Sequence, residues 1–567
     1  MADMCTTPDG ASMWTLGLGS KWFSIISVSI LGFFPLVLIL LGPKLVFYLG
    51  SIVGYYLRKK TAGRRAQILD LVETEEKEYL AGLKERRDSD EWENVQSDLA
   101  DEKGGAAPDR DWDGIVGFFH PFCNAGGGGE RVLWAAIRAT QRRWPKAKCI
   151  VYTGDHDVDK NAILARVKVE ISLLEQFDML ADKHFQNRFN IHLHPPTITF
   201  MYLTTRSWVL ASSWPHFTLL GQSIGSLVLA WDAFSLLPPD IFLDTMGYAF
   251  ALGFSKILFG DVPTGAYVHY PTISTDMLSS LDPESSTGTL GVNAGKGQGA
   301  AGAAKKIYWE VFAKLYSFVG SSIDVVMTNS TWTQEHINSL WGGWRKEFKR
   351  SAAVAVYPPV AVEELEKEVE VSAESEEDRQ KVLLYIAQFR PEKNHKLIMA
   401  AFAEFMATKT TATEDAKLVL IGSVRDDGDA KRVYELRLLA NELQIRDSVE
   451  FHLDASWPEI LEWLRKASIG VNGMWNEHFG IGVVEYQAAG LISVVHNSGG
   501  PKRDIVIEID GKPTEFADGF EQALSLPDKL EMRLRARKSA KRFTEEEFIK
   551  CWIKHMEVLV KLRKSKE

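Results

Sequence analysis

The sequence contains few cysteines. Only four occur in 567 residues, and they are scattered without the regular spacing of metal-ligand pairs: Cys5, Cys123, Cys149 and Cys551. Disulfide frameworks and cysteine-rich zinc modules require denser and more regular cysteines. We interpret these four as reduced thiols of a protein in a reducing compartment.

Positive charge is also in short supply. Lys and Arg together number 65 against 75 Asp and Glu, which gives a formal net charge of −10. A general nucleic-acid-binding protein carries the opposite balance, so no nucleic acid is expected among the partners. The length of 567 residues leaves room for two or three domains.

Charged residues are missing altogether from residues 22–41, which are almost entirely apolar. About 20 apolar residues suffice to span a bilayer, and this run is too long for the core of a signal peptide. Basic residues are frequent after the run but not before it, where Lys21 stands alone: Arg58, Lys59, Lys60, Arg64 and Arg65. The pattern predicts a single membrane anchor within residues 1–60, with everything after it in the cytosol.

Glycine is concentrated in a loop between a predicted strand at 115–121 and a predicted helix at 132–144. Such a loop lines a pocket with backbone N–H groups, which bind phosphate or other anions. The loop and its neighbours are therefore candidate ligand-binding residues: His120, Gly126, Gly127, Gly128, Gly129 and Glu130.

Two further motifs follow predicted strands in the second half of the chain. Arg390 and Lys393 stand at a strand-to-helix turn, where two cations suit a diphosphate. Glu477 and Glu485 are separated by seven residues, and a glycine turn between them precedes a predicted helix. Gly422, Phe479, Gly480 and Ile481 are further candidate residues of the same ligand site. Another glycine turn stands at 499–501.

Taken in order, these motifs resemble the retaining nucleotide-sugar glycosyltransferases of family four, over roughly residues 112–560. The resemblance implies a GT-B fold of α/β class, in which two Rossmann-like doubly wound domains face a cleft. It implies that Arg390, Lys393 and Glu477 act in catalysis, without a metal or cofactor. It also implies that the candidate residues of the second half bind the donor, and that the glycine loop and its neighbours face the acceptor or its diphosphate. The predicted segments are an anchor at 1–60, a charged linker at 61–111, an acceptor domain at 112–361, an acidic linker at 362–380, a donor domain at 381–545 and a crossing helix at 546–567.

The sequences at 120–134 and 475–485, together with the anchor, resemble more narrowly the mannosyltransferases of asparagine-linked glycosylation. This resemblance implies GDP-mannose as donor and dolichol-diphosphate-linked Man3GlcNAc2 as acceptor, with two α-1,2-linked mannoses added in sequence. It also implies the cytosolic face of the endoplasmic reticulum membrane and a complex with other early-pathway mannosyltransferases. Another family-four enzyme with a lipid-linked acceptor, or a catalytically silent scaffold, remains the alternative.

Several features allow more than one interpretation. The apolar tract at 207–260 fits buried core, a membrane-surface face or a second span, and the basic, aromatic helix at 305–319 fits core or a lipid surface. His269 follows a strand and is a candidate catalytic residue or a satisfied core histidine. The acidic run at 155–159 is interpreted as a solvated loop rather than a metal site. The glycine-rich stretch at about 282–304 predicts a disordered insertion.

Overall fold

The structure is a computed structural model, and it describes residues 17–85, 110–124, 126–167, 191–282, 284–285, 298–506 and 515–566. Within the first helix, burial is described for Gly42 and for residues 44 to 82. The charge-free run at 22–41 and most of the predicted insertion therefore lie outside what is described in side-chain detail.

The first half of the chain forms a seven-stranded sheet in which all neighbouring strands are parallel, in the order β3-β2-β1-β4-β5-β6-β7. Its strands are β1 (Ile115–Phe119), β2 (Lys148–Thr153), β3 (Ile198–Tyr202), β4 (Ile241–Asp244), β5 (Thr264–Val268), β6 (Val325–Thr328) and β7 (Val354–Ala355). The accompanying helices are α1 (Gly17–Glu85), α2 (Gly128–Arg143), α3 (Lys160–Val167), α4 (Thr218–Leu236), α5 (Ala249–Leu258), α6 (Thr275–Ser279), α7 (Gly299–Ser321) and α8 (Thr331–Glu347).

The second half forms a five-stranded parallel sheet in the order β10-β9-β8-β11-β12. Its strands are β8 (Gln380–Ile386), β9 (Lys417–Gly422), β10 (Val449–Leu453), β11 (Ala467–Asn472) and β12 (Ile492–Val495). Its helices are α9 (Val362–Glu368), α10 (Ala373–Glu377), α11 (His395–Ala407), α12 (Asp427–Glu442), α13 (Trp457–Lys466), α14 (Ile481–Ala488), α15 (Phe516–Leu524), α16 (Lys529–Ala540) and α17 (Glu545–Lys564).

Both sheets are doubly wound, and this winding positions the site. Their central strands are apolar and buried, as is usual when helices cover both faces of a parallel sheet. In each sheet the strand order reverses beside the first strand, between β1 and β4 and between β8 and β11. Loops after the strands on either side of such a reversal diverge and leave a crevice for ligands.

The first and the last described helices pack on the first sheet's helices. Helix α1 does not end at the anchor but continues through the predicted charged linker to Glu85, and its Arg58 pairs with Asp261 at 2.7 Å. Helix α17 lies on α2, where Arg138 pairs with Glu545 at 3.0 Å. Asp261 also pairs with Arg563 of α17 at 2.7 Å, so one carboxylate joins α1 and α17.

The segments predicted as an acidic linker and as a disordered insertion contain helical residues. The acidic linker at 362–380 consists largely of α9 and α10, because Val362, Leu365 and Val369 bury their side chains in the core of the second sheet. The predicted disordered insertion ends earlier than expected, since α7 begins at Gly299 and its alanines continue the helix.

The apolar tract at 207–260 supplies ordinary core elements, namely α4, β4 and α5. Among the described helices, α4 is long and apolar enough to cross a membrane, but 44% of its most apolar window is buried inside the protein. Leu229, Ala230, Ala233 and Phe234 pack inward. The structure thus favours the buried-core interpretation for the inward side of this tract.

Trp552 of α17 packs against the first sheet and its helices, which together we call the first unit. The second sheet and its helices form the second unit. Trp552 is fully buried, stacks on Phe118 with ring centroids 6.5 Å apart, and donates to Thr140 Oγ1 at 3.3 Å. We expect Trp552→Ala to lower the free energy of unfolding by about 3–5 kcal/mol, because a large cavity would form in the core. Val558→Ala on the exposed side of the same helix is the control, and chemical denaturation is the measurement. Equal stability of the two variants would contradict this packing.

Candidate functional site

The glycine loop follows β1 at the reversal of the first sheet and leads into α2. Gly126 has a positive φ of 75°, and its N–H donates to the carboxylate of Glu130, which is 4% exposed. Gly127 precedes the helix, and its carbonyl accepts the N–H of Glu130 at 3.0 Å. Glu130 therefore closes the loop internally, and the loop presents backbone rather than this carboxylate to the cleft.

Two histidines bracket Thr245, which follows β4. The Nδ1 of His120 lies 2.7 Å from Thr245 Oγ1, and His269 Nε2 donates to Thr245 O at 3.1 Å. Burial lowers the pKa of His120 to about 3 and that of His269 to about 4, so both rings are neutral near pH 7. His269 reaches the loop, 3.6 Å from where a Cβ on Gly129 would stand. His120 is 1% exposed, so it supports Thr245 and does not line the cleft as expected.

Lys393 and Glu477 meet at the reversal of the second sheet. Lys393 follows β8 and Glu477 follows β11, strands that are hydrogen-bonded neighbours. Lys393 Nζ donates to Glu477 Oε2 at 2.5 Å and also lies 3.2 Å from Met474 Sδ. Asn472 Nδ2 contacts the same carboxylate oxygen at 3.4 Å. The predicted cationic and acidic motifs thus converge, although 83 residues separate them along the chain.

The opposite charges of Lys393 and Glu477 stabilise each other. Burial opposes ionisation of Glu477, but the charge and hydrogen bond of Lys393 outweigh it and hold the pKa of Glu477 below its ordinary value. Both side chains keep partial exposure, 23% for Lys393 and 13% for Glu477. An ammonium and a carboxylate at the edge of a crevice can engage a phosphate and a sugar hydroxyl respectively.

The backbone around Glu477 depends on glycine at two positions. Gly480 has a φ of 103° and stands immediately before α14, which no side chain caps. Its carbonyl accepts the N–H groups of Val483 at 3.0 Å and Val484 at 3.2 Å. Gly499 has a φ of 67°, and a Cβ there would collide with the carbonyl of Glu477. The following N–H, of Gly500, donates to that carbonyl at 2.7 Å. The glycine turn at 499–501 therefore supports the loop that carries Glu477.

Other predicted donor residues lie in different surroundings. Glu485 is in α14, where burial raises its pKa and the charge of Arg131 on α2 opposes the rise. Arg390 is half-exposed, with its guanidinium 4.0 Å from Glu392, and within the described residues no ion pair joins it to Glu477 or Glu485. Gly422 allows close approach of the chain at Ala387, since a Cβ would meet that carbonyl.

The two loops face one another across the units. A Cβ on Gly128 of the first unit would collide with the side chain of Ile481 at the start of α14. Phe479 points away from this contact into the core, where it stacks on Tyr357 at 5.9 Å. The glycine loop of the first half and the start of α14 in the second half are therefore in contact, whereas His120 and the ring of Phe479 are buried.

Sequence reasoning missed a cluster that joins the units on either side of Glu477. The ring of His478 stacks on Tyr270 with centroids 4.0 Å apart and lies 5.7 Å from Trp332. Asn476 Nδ2 donates to Asp276 Oδ2 at 2.6 Å. His478 stands inside the quoted motif and Tyr270 directly after His269, but nothing in the local sequence pairs them. We call Tyr270, Trp332, Asp276, Asn476 and His478 the interdomain clamp.

A second link lies beside the clamp. Asp504 of the second unit accepts the N–H of Thr331 at 2.9 Å, its hydroxyl at 2.6 Å and the hydroxyl of Tyr357 at 3.0 Å. Thr331 begins α8, so a carboxylate from one unit caps a helix of the other. Among the described residues, no group of three or more His, Cys, Asp or Glu has the arrangement of a metal site.

Comparison with known proteins identifies the family. Residues 113–181 and 175–341 match the family model described as ALG11 mannosyltransferase N-terminus, and residues 366–543 match glycosyl transferases group 1. The chain is 64% identical over 563 residues to the GDP-Man:Man(3)GlcNAc(2)-PP-Dol alpha-1,2-mannosyltransferase of Neurospora crassa, covering 95% of this chain and 98% of that one. This chain belongs to that mannosyltransferase family.

More distant members agree. The mannosyltransferase of the same name from Mus musculus is 43% identical and that from Homo sapiens 41%, each over 79% of this chain and 87% of the relative. The family expected from the motifs is thereby confirmed. Among solved structures, trehalose-phosphate synthases from Burkholderia multivorans and Burkholderia xenovorans share the fold, with TM-scores of 0.53 and 0.52 at 13% identity. The two matches cover 80% and 79% of this chain, respectively, and 99% of each synthase chain. The two-sheet α/β fold of GT-B type is thus also confirmed.

The interdomain clamp makes a testable prediction for this mannosyltransferase. We expect His478→Ala to lower kcat by up to about a hundredfold, because loss of the stack lets the neighbouring Glu477 shift. His478→Phe retains a flat ring against Tyr270 and should restore most of the activity. Steady-state kinetics of both variants is the measurement. Equal losses in the two variants would mean that stacking is not what His478 contributes.

His478 should also make the enzymatic activity depend on pH. Burial lowers its pKa to about 4 from an ordinary 6.5. Because an exposed ring binds a proton more readily, acidification from pH 6.5 towards 4 favours states in which the clamp is open. We expect His478→Phe, relative to the parent chain, to lose less activity between these pH values.

Proposed function

We propose that the protein is a retaining α-1,2-mannosyltransferase that transfers mannose from GDP-mannose to dolichol-diphosphate-linked Man3GlcNAc2. The observation that carries the proposal is the 2.5 Å pair of Lys393 and Glu477 at the strand reversal of the second sheet. It is supported by the curated relatives, whose names state this donor, acceptor and linkage. The glycosyl transferases group 1 match covers the half of the chain that holds the pair.

Each polar group in the cleft has a proposed role. Lys393, aided by Arg390 and the N–H groups at the start of α14, stabilises negative charge on the diphosphate as it leaves, which is commonly the largest catalytic contribution. Glu477 binds the mannose hydroxyls, and Glu485 binds the ribose hydroxyls. The leaving phosphate takes the acceptor's proton on the same face of the sugar, so the anomeric configuration is retained without a protein nucleophile or metal.

The first unit holds the acceptor in this proposal. The glycine loop offers backbone N–H groups to the acceptor diphosphate, because Glu130 is already engaged with Gly126. His269, neutral through its lowered pKa, lies beside that loop and contacts the reacting sugars as a hydrogen-bonding group. Both mannoses are added in turn at this one cleft.

The proposal includes a location in the cell. The charge-free run at 22–41 anchors the chain in the endoplasmic reticulum membrane, and the basic residues after it keep both units in the cytosol. Residues 112–361 form the acceptor domain and residues 381–545 the donor domain. Other early-pathway mannosyltransferases join it in a complex.

Purified full-length protein supplied with radiolabelled GDP-mannose or UDP-GlcNAc, and with lipid-linked Man3GlcNAc2, tests the proposal. We expect label to pass only from GDP-mannose, and mass spectrometry to find the acceptor heavier by one hexose and then by two. Transfer of GlcNAc would show a different family-four enzyme. Absence of transfer from both donors, with the fold intact, would indicate a silent scaffold.

A further inference from the structure

Helix α2 carries four arginines, and three of them are ion-paired with α17. Arg131, the remaining one, forms no side-chain hydrogen bond or ion pair with any residue that the structure describes, and its Nε is buried without an acceptor. The three pairs are Arg138 with Glu545 at 3.0 Å, Arg142 with Glu546 at 2.8 Å and Arg143 with Glu557 at 3.0 Å. Three arginines of α2 therefore fasten α17, and Arg131 is left for another purpose.

The position of Arg131 makes its lack of a partner costly. It is the fourth residue of α2, close to the end of the helix at which the dipole disfavours a cation. A buried N–H without an acceptor also lowers the stability of the fold, and such a group in a native protein requires an explanation. An anion outside α2 and α17 would supply one.

The second unit presents such an anion. Gly128 and Arg131 are three residues apart and lie on one face of α2, and Ile481 and Glu485 are four apart and lie on one face of α14. The two helices approach so closely that a Cβ on Gly128 would collide with the side chain of Ile481. The faces that carry Arg131 and Glu485 therefore meet between the units.

The electrostatics agree with this placement. Burial raises the pKa of Glu485, and the charge of Arg131 opposes that rise. Within the described part of the chain, no hydrogen bond engages the Glu485 carboxylate. Its neighbour Tyr486 is uncharged near neutral pH because burial raises its pKa. Arg131 also acts on Glu545, where the charge of Arg138 has the larger effect. Glu485 is thus the carboxylate for which Arg131 is the main cation.

We propose that Arg131 of the first unit is a positioning residue for the donor, which holds the Glu485 carboxylate towards the ribose hydroxyls from across the cleft. This role rests on the proposed function, in which Glu485 binds the ribose. An ionised carboxylate accepts hydrogen bonds through both oxygens, whereas a protonated one gives up part of that capacity. Recognition of the nucleotide then requires residues of both units, so the donor is bound most tightly when α2 and α14 are in contact.

Ribose selectivity tests this role directly. Arg131→Gln removes the charge, Arg131→Lys retains it, and Arg142→Gln removes a charge from the same helix at its pair with Glu546, away from the cleft. Competitive inhibition of mannosyl transfer by the purified full-length enzyme is measured with GDP and with dideoxy-GDP, which lacks both ribose hydroxyls. Thermal unfolding of each variant confirms the fold.

We expect Arg131→Gln to bind GDP about tenfold more weakly than the parent chain and to bind dideoxy-GDP equally well, because only the hydroxyl contacts are weakened. Arg131→Lys should recover most of the difference, and Arg142→Gln should match the parent. Equal weakening of both nucleotides by Arg131→Gln, or no weakening of either, would overturn the proposal. A parent chain that binds both nucleotides equally would instead refute the ribose contact of Glu485 on which the proposal rests.

The pH profile separates this role from a purely structural one. Without Arg131, the pKa of Glu485 should rise further, so the KM of Arg131→Gln for GDP-mannose should increase as pH falls from about 8 to about 6, while the parent responds only at lower pH. Adding Glu485→Gln should abolish the difference between the two profiles, because the titrating carboxylate is gone. A KM that is raised by the same factor at every pH would mean that Arg131 does not act through Glu485.

Discussion

Replacing Lys393 with alanine should lower kcat by about a hundred- to a thousandfold while the chain still folds. Lys393 is the cation that contacts Glu477, and in the proposed reaction it stabilises charge building on the leaving diphosphate. The measurement is steady-state transfer from GDP-mannose, with thermal unfolding to confirm the fold. Turnover near that of the parent chain would refute the assigned role.

A matched control stands three residues further on. Lys396 is 63% exposed on α11 and pairs only loosely with Glu435 at 3.8 Å. Lys393 lies in the turn just before α11. Lys396→Ala removes the same charge three positions further along the chain without touching Glu477, so its activity should match the parent chain. Similar losses in the two variants would mean that net charge, rather than the position of Lys393, determines the rate.

Glu477→Gln should lower kcat by about a hundredfold. The amide has nearly the same shape and still accepts from Lys393, so the loop keeps its conformation, but the charge that binds sugar hydroxyls is gone. Glu392→Gln, a half-exposed acid beside Arg390, is the control. The double variant Lys393→Ala with Glu477→Gln should be little worse than either single variant, because residues acting as a unit are not additive. Fully multiplicative losses would contradict the pairing.

The pair also predicts how the stability of the fold responds to acid. The pKa of Glu477 lies below its ordinary value of 4.5, so the unfolded chain takes up the proton first as pH falls. The stabilisation from the pair is therefore complete above about pH 4.5 and is lost as pH falls through the lower, folded-state pKa. Chemical denaturation at a series of pH values should show the loss in the parent chain and not in Glu477→Gln.

Much of the site could be predicted because it lies at strand ends. The glycine loop, Lys393 and Glu477 each lie in the segment that follows a short apolar strand. A strand followed by a turn can be recognised from the residues of that segment alone. The same locality limits what acidic composition can show. The segment at 362–380 is acidic, which predicts a linker, and composition does not reveal that its few apolar residues pack in the core of the second sheet.

His120 illustrates a different limit. Its place after β1 is correct, but whether a histidine lines a cleft or supports a neighbour depends on what packs over it. Thr245, which binds it, is 125 residues away in the chain. The interdomain clamp was missed for the same reason, since Asn476 and Asp276 are 200 residues apart and neither belongs to a recognisable pattern alone.

The sequence by itself determined the alternation of buried strands and helices, the turns that carry glycine and charge, and the family to which those turns belong. Local residue patterns encode these features because backbone conformation and turn chemistry depend on neighbours in the chain. Only the tertiary structure decided that β8 lies beside β11, so that Lys393 meets Glu477, and that His478 stacks on Tyr270 of the other unit. Buried parallel strands look alike in sequence, and their order is set by packing between distant segments.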